Sequence, residues 1–375
     1  MSEFKLTTVE EFEAATARLL ETGAKVGADS WQMRVKNQTP HCKFGEQGVC
    51  CRICSMGPCR ITPKAPRGIC GCDVHGIVGR NFLRFTAGGA ATHSDHGREI
   101  CITLGHAKEG GDYQVKDPEK LIRIAKEWGV ETEGKDIYDL AHEMSDLAQE
   151  EYGKIRGYSR WLKRAPQHTQ DLWHAAGIEP RAIDREVSCA LHMTHMGNTS
   201  KPEALIRQAL RNGLSDGWGG SMCGTEFSDV LFGTPKPIDT EANLGVMNAE
   251  NVNIVVHGHD PSLSEMICEY ADSKEMIDYA KSMGAKGITV SGVCCTSNEV
   301  AMRRGIPMAG NFLQQENVVL TGACEAIVVD VQCIFPALGP LSKCFHTKFI
   351  TTSPICQMPD SDFIEFDAGT AGEKA

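Results

Sequence analysis

The sequence predicts an α/β protein in two parts: an all-helical N-terminal domain over residues 1–235 and a parallel α/β domain over residues 236–375. Three observations predict this. Residues from about 20 to 235 show helical periodicity and few strand patterns. Past residue 250, the short β-branched runs NVNIVVHG, KGITVSGV, CEAIVVDVQ and KFITTS alternate with helical segments such as LSEMICEYADSKEMIDYAKSMGA. Between the two lies GTPKPIDTEANLG, a linker with two prolines and two glycines. At 375 residues the chain exceeds one ordinary core and can bury its apolar residues without disulfide staples.

In chain order, the opening MSEFKLTTVEEFEAATARLL has acidic residues where a secretory leader carries basic and then apolar ones, so no export is expected. A cysteine-rich segment occupies about residues 40–72. The following FTAGGAATHSDHGREICITLGHA reads as a close-packed helix whose small residues admit near neighbours, and it carries His93 and His96. DPEKLIRIAKEWG and KDIYDLAHEMSDLAQEEYG read as amphipathic helices, with Ile137, Leu140, Ala141, Met144 and Leu147 at helical spacing. KPEALIRQALRNG reads as a further helix, opened by Pro202 and closed by Gly213.

With 38 basic against 49 acidic side chains the net charge is −11, which argues against nucleic acid or an anionic membrane as the main partner, since phosphate binding needs clustered Lys and Arg. The most apolar stretch, Val318 to Leu341, is broken by Glu325 and Asp330, so it is not the roughly 18-residue apolar run of a membrane span. A soluble, cytoplasmic protein is expected. In a reducing compartment, 17 cysteines are expected to include metal ligands rather than disulfides.

Seven cysteines, Cys42, Cys50, Cys51, Cys54, Cys59, Cys70 and Cys72, fall within 31 residues. Cys51-x2-Cys54-x4-Cys59-x10-Cys70 puts four thiols on a loop punctuated by Gly57, Gly68 and Gly71, which can wrap one four-thiolate site. Such a site suits zinc or an iron-sulfur cluster, and spacing leaves both open. Cys42 and Cys50 are left over. Two thiolates complete a site only if a twofold axis near the loop lets two chains supply two each; otherwise they are idle thiols. Cys72 reads as a packing residue.

In the α/β part, polar ligand types stand where strands end: His257 and His259 after NIVV, Cys294 and Cys295 after ITVSGV, Cys333 after IVVDVQ. In an open parallel sheet of the Rossmann-like kind, ligands bind beyond the carboxyl ends of the strands, so these residues are expected to converge on one pocket. Imidazole with thiolates suits nickel, iron or zinc. Cys101, Cys189, Cys223, Cys268, Cys324, Cys344 and Cys356 lie in apolar or helical contexts and read as packing.

Several segments together resemble the nickel-containing anaerobic carbon monoxide dehydrogenases, over nearly the whole chain: HCKFGEQGVCCRICSMGPCRI with RGICG, AATHSDHGR, DGWGGSMCGTEFSDVLFGTPKP, VHGHDPSLSE, GVCCTSNEVAMRRGIP and DVQCIFP. The resemblance implies a homodimer with one 4Fe-4S cluster per subunit on Cys51, Cys54, Cys59 and Cys70, and an iron-sulfur cluster shared at the dimer interface on Cys42 and Cys50. It implies a nickel-iron-sulfur active-site cluster with His259, Cys295 and Cys333 as ligands and Cys294 as a neighbour. The implied reaction is reversible oxidation of CO with water to CO2, two protons and two electrons, the electrons leaving through the clusters to a ferredoxin-like acceptor. His93 is then the proton acceptor and His96 the next group on the same helix face.

Two departures stand against that pattern. Where the family continues its histidine helix with further histidines, this chain has Glu99 and Ile102, so the proton route is altered. The family also carries a second Rossmann-like domain that supplies three more cluster cysteines and a catalytic lysine. The ligand set His259, Cys295 and Cys333 is therefore incomplete, and a missing C-terminal polypeptide is expected to complete it. The alternative is a noncatalytic or partner-dependent iron-sulfur electron-transfer or assembly subunit derived from that family.

Overall fold

Period-3.6 patterning over the first half of the chain and short β-branched runs over the second dictate different architectures, and the structure, a computed structural model, describes residues 9–196 and 198–374. The chain forms two compact units, one of residues 40–233 and one of residues 1–39 with 234–375. No helix among the described residues is long and apolar enough to cross a membrane. None of the 17 cysteines is in a disulfide.

The helices that frame the sites are α1 (Val9–Lys25), α2 (Val74–Gly105), α3 (Pro118–Trp128), α4 (Ile137–Gly153), α5 (Ile183–Thr194), α6 (Pro202–Ser215) and α7 (Met222–Phe232). The unit of residues 40–233 is built on α2, a 32-residue helix capped by Asp73, whose carboxylate accepts from the Gly76 N–H at 2.9 Å. Leu83 and Ala87 of α2 pack with Ala190 of α5 and with Leu205 and Ala209 of α6. Close approach requires glycine at Gly97 of α2, whereas Gly88 and Gly89 face open space. A Cβ on Gly97 would stand 2.1 Å from the Tyr152 hydroxyl and 2.8 Å from the Gly220 carbonyl.

Gly213 does not close α6, contrary to the sequence expectation. The backbone stays right-handed through Asp216 and widens into a π-type turn at Asp216–Ser221 before α7. A glycine mid-helix costs only about 1 kcal/mol, and packing overrides it. Such π turns often sit at functional sites.

The expected placement of residues 1–39 in the helical domain is corrected. The described part, residues 9–39, packs on the α/β unit: Leu19 and Leu20 of α1 lie against its core, the Trp31 N–H donates to Glu316 Oε2 at 2.6 Å, and the Trp31 indole donates to the Leu313 carbonyl at 2.9 Å. Arg34 pairs with Glu316. An amphipathic pattern shows that a helix has an apolar face but does not say which surface covers it.

The α/β unit holds a parallel sheet with six strands among the described residues: β1 (Val252–Gly258), β2 (Ile288–Val293), β3 (Met308–Gly310), β4 (Ala326–Val329), β5 (Lys348–Thr351) and β6 (Asp362–Phe363), in spatial order β3-β2-β1-β4-β5-β6. The connecting helices include α8 (Pro261–Ala271), α9 (Cys294–Arg304), α10 (Gln315–Leu320) and α11 (Leu338–Ser342). Four strands match the β-branched runs. The short strands β3 and β6 carry too few residues to show alternation. The chain steps outward from β1 to β3, then crosses back and steps outward from β4 to β6, so the topology reverses between β1 and β4. In register, His257 faces Val293 of β2 on one side and Val329 of β4 on the other, which aligns the next residues of all three strands at the reversal point. This is where open α/β sheets bind ligands.

Candidate metal centres

In the α/β unit the three strand ends deliver His259, Cys294 and Cys333, whose ligand atoms all lie within 4.8 Å of one another. Each is set by local backbone. Gly258 turns with φ +137°, and a Cβ there would stand 2.0 Å from an Asp330 carboxylate oxygen, so only glycine fits. The His259 N–H donates to that same oxygen at 2.6 Å, and Val331 N–H donates to it as well. Asp330 thus fastens the β1 loop to the β4 loop. Burial, and then the charge of Asp260, hold its carboxyl well above the usual carboxylate range.

Cys294, Gln332 and Cys333 all have left-handed backbone, with φ of 69°, 71° and 59°. Residues with side chains adopt this region rarely, and such strain concentrates at functional sites. Hydrogen bonding with Cys295, then burial, then the nearby Cys295 and Cys333 sulfurs push the Cys294 thiol far up. Burial also raises the Cys333 thiol. A cation bound among such sulfurs favours their thiolate forms, so the imidazole and thiols make a donor set that fits a soft metal centre. His259 and Cys294 are buried, whereas Cys295 and Cys333 are exposed, so the group is open on the cysteine side.

The structure therefore brings two of the three expected ligands, His259 and Cys333, together. It sets Cys294 rather than Cys295 within the 4.8 Å group, with Cys295 one residue on and its sulfur hydrogen-bonded with that of Cys294. His257 stands apart from the group. It is fully buried, its Nε2 meets Gln315 Oε1 at 3.1 Å, and burial lowers its pKa to about 4, so the ring is neutral.

In the helical unit, Cys51, Cys54, Cys59 and Cys70 line one pocket together with Gly57 and Gly68. A short antiparallel pairing of Cys50–Cys51 with Cys59–Arg60 sets Cys51 opposite Cys59. A Cβ on Gly68 would lie 3.5 Å from Cys59 Sγ. The sulfurs already receive donors: Ile69 N–H to Cys59 Sγ at 3.4 Å and the buried Arg80 guanidinium to Cys70 Sγ at 3.8 Å. The Cys72 backbone N–H, with help from Arg80, lowers the Cys70 pKa. A tetrahedral zinc ion would hold its sulfurs about 3.8 Å apart. Among the described residues no three of these thiols come within 4.8 Å of one another. Cys72 is buried, and burial raises its thiol, as befits a packing residue. Cys42 and Cys50 lie outside the pocket lining. Cys42 is exposed, its pKa lowered by the backbone N–H groups of Gly45 and Phe44, and Cys50 is half-buried.

On α2, His93 Nδ1 meets Asp216 Oδ1 at 2.6 Å, across the π turn. A carboxylate only accepts, so Nδ1 carries the hydrogen of this contact. The His96 ring lies against α7, where a Cβ on Gly224 would be 3.3 Å from its Nε2. Sequence reasoning missed Asp216, 123 residues from its partner, and Asp330. Asp330 had a readable signal, an acid directly after the apolar run of β4.

Soft donors gathered at the reversal point of a parallel sheet, with a separate four-thiol pocket in a helical unit, define a thiolate-rich metalloprotein. The Prismane/CO dehydrogenase family profile matches residues 49–375, and the chain belongs to that family. It is 47% identical over 368 residues to carbon monoxide dehydrogenase 1 of Methanosarcina mazei, covering 97% of this chain and 59% of that protein. It is 41% identical over 376 residues to the carbon monoxide dehydrogenase of Rhodospirillum rubrum, covering 97% and 58%. Its fold superposes with a TM-score of 0.92 and 48% identity on a nickel-free crystal structure of carbon monoxide dehydrogenase from Thermococcus sp. AM4, covering 95% of this chain and 57% of that one. The chain thus spans less than two thirds of these relatives' length.

Proposed function

We propose that this chain is the cluster-carrying portion of a nickel-containing anaerobic carbon monoxide dehydrogenase, a cytoplasmic homodimer that catalyses reversible oxidation of CO with water to CO2, two protons and two electrons. The observation that carries the proposal is the convergence of His259, Cys294 and Cys333 within 4.8 Å at the sheet's reversal point, in a chain of this family.

A nickel-iron-sulfur centre, when bound, supplies CO binding, activation of water and storage of two electrons. Toward it, His259 and Cys333 are ligands, with one thiol of the Cys294–Cys295 pair; resemblance favours Cys295 and geometry favours Cys294. The exposed cysteine side is where further ligands join. Cys51, Cys54, Cys59 and Cys70 hold a 4Fe-4S cluster, Arg80 and the backbone N–H groups offsetting its negative charge. Cys42 and Cys50 share a further cluster with a second copy, and electrons pass to a ferredoxin-like acceptor. His93, oriented by Asp216, takes up a released proton on Nε2.

Metal analysis and CO-dependent viologen reduction on anaerobically purified protein test this reading. Nickel, iron and sulfide with dye reduction are expected. Iron and sulfide without nickel would favour an electron-transfer or assembly subunit instead, and zinc alone would defeat both.

A further inference from the structure

We propose that Gln315 is the positioning residue for the Cys333 thiol, an inference that rests on reading His259, Cys294 and Cys333 as a metal centre. Gln315 opens α10 and is fully buried. Its amide oxygen accepts from Phe335 N–H at 2.7 Å and faces His257 Nε2 at 3.1 Å. Its amide nitrogen donates to the carbonyls of Phe312 at 2.6 Å and Cys333 at 2.9 Å. Because a backbone N–H can only donate and a carbonyl only accept, these four contacts fix the amide's orientation. They also use its full capacity of two donors and two acceptors. His257 Nε2 must then carry a hydrogen toward Gln315 Oε1.

The arrangement brackets a strained turn. Gln332 and Cys333 are consecutive left-handed residues, a conformation that persists only where the surroundings enforce it. Gln315 grips the carbonyl of Cys333 and the N–H of Phe335 two residues on, and ties both to His257 on β1, two residues before His259. One buried amide thus sets the Cys333 loop and the His259 strand at a fixed separation. Without it, the turn relaxes toward ordinary φ values and the Cys333 sulfur leaves the group. Metal sites depend on such supporting hydrogen bonds, whose loss typically weakens metal affinity about 10- to 100-fold.

The test uses the full chain, made metal-free under anoxia, with cobalt(II) alone as probe and iodoacetamide labelling of each cysteine read by mass spectrometry. In the wild type, cobalt is expected to slow labelling of Cys333 at least about tenfold. In Gln315→Leu the cobalt concentration needed for that protection rises about 10- to 100-fold, while protection of Cys51, Cys54, Cys59 and Cys70 and the far-ultraviolet circular dichroism stay as in wild type. Equal Cys333 protection in wild type and variant overturns the positioning role and leaves the metal centre standing. Absence of protection in the wild type overturns the metal centre and this inference with it. Should Gln315→Leu fail to fold, amide exchange in the wild type decides: a slow Phe335 N–H is expected, and a freely exchanging one overturns the proposal.

Discussion

The backbone N–H of His259 donates to the Asp330 carboxylate at 2.6 Å, and this bond joins the loops after two neighbouring strands at the point where the sheet reverses direction. Asp330 is buried and also receives Val331 N–H. Asp330→Ala should therefore cost about 1–3 kcal/mol for each buried N–H left unpaired and lower metal retention by the α/β unit. Urea unfolding and metal analysis check this; wild-type stability and wild-type metal content would remove Asp330 from the account.

Gly258 is the tightest constraint beside it. Alanine there meets both a left-handed φ of 137° and an Asp330 oxygen 2.0 Å from the new Cβ. Backbone strain of about 1–3 kcal/mol and overpacking of a similar size add, so Gly258→Ala should lose several degrees of thermal midpoint or fail to accumulate as folded protein. A midpoint unchanged from wild type contradicts the geometry.

Glu316 gives a pH signature for the docking of residues 9–39 on the α/β unit. Burial raises its pKa despite the pairing with Arg34 and the Trp31 N–H. The folded state therefore keeps its proton to higher pH than the unfolded state, whose carboxyl titrates near about 4.3. The stability of wild type relative to Glu316→Gln should be greatest in acid and decline as pH rises through the raised pKa. Urea midpoints of both proteins across acid to neutral pH test this, and a relative stability that climbs with pH would show Arg34 outweighing burial.

How much of this was legible in the sequence follows from physical range. The gathering of Cys51, Cys54, Cys59 and Cys70 in one pocket was legible because their spacing is local, and that of His259 and Cys333 because strand ends of a parallel sheet converge by topology. The contact between Asp216 and His93 spans 123 residues and runs through a π turn that no periodicity announces. Whether Cys294 or Cys295 faces inward depends on one left-handed φ at the strand-to-helix turn, which the letters CC do not encode. The docking of residues 9–39 was illegible because an apolar helix face names no partner.

If Cys42 and Cys50 hold a cluster between two copies, Cys42→Ala with Cys50→Ala should lower iron per chain and shift the dimer toward monomer, leaving the cluster at Cys51, Cys54, Cys59 and Cys70. Iron analysis with analytical ultracentrifugation reads both. An unchanged iron count would exclude the shared cluster.

Asp216→Asn keeps the shape of the His93 contact but no longer enforces Nδ1–H, so the proton-accepting nitrogen is lost from a fraction of the rings. In competent holoenzyme, CO-dependent dye reduction should fall about 10-fold or more with iron and nickel content unchanged. Full activity would take His93 out of the proton path.

The most direct test of the central claim is anomalous scattering at the iron and nickel edges from crystals of anaerobically metal-loaded protein. The account predicts metal within bonding distance of a His259 ring nitrogen and of Cys333 Sγ, together with one sulfur of the Cys294–Cys295 pair. Anomalous peaks confined to the Cys51–Cys70 pocket, with the His259 group bare, would contradict it.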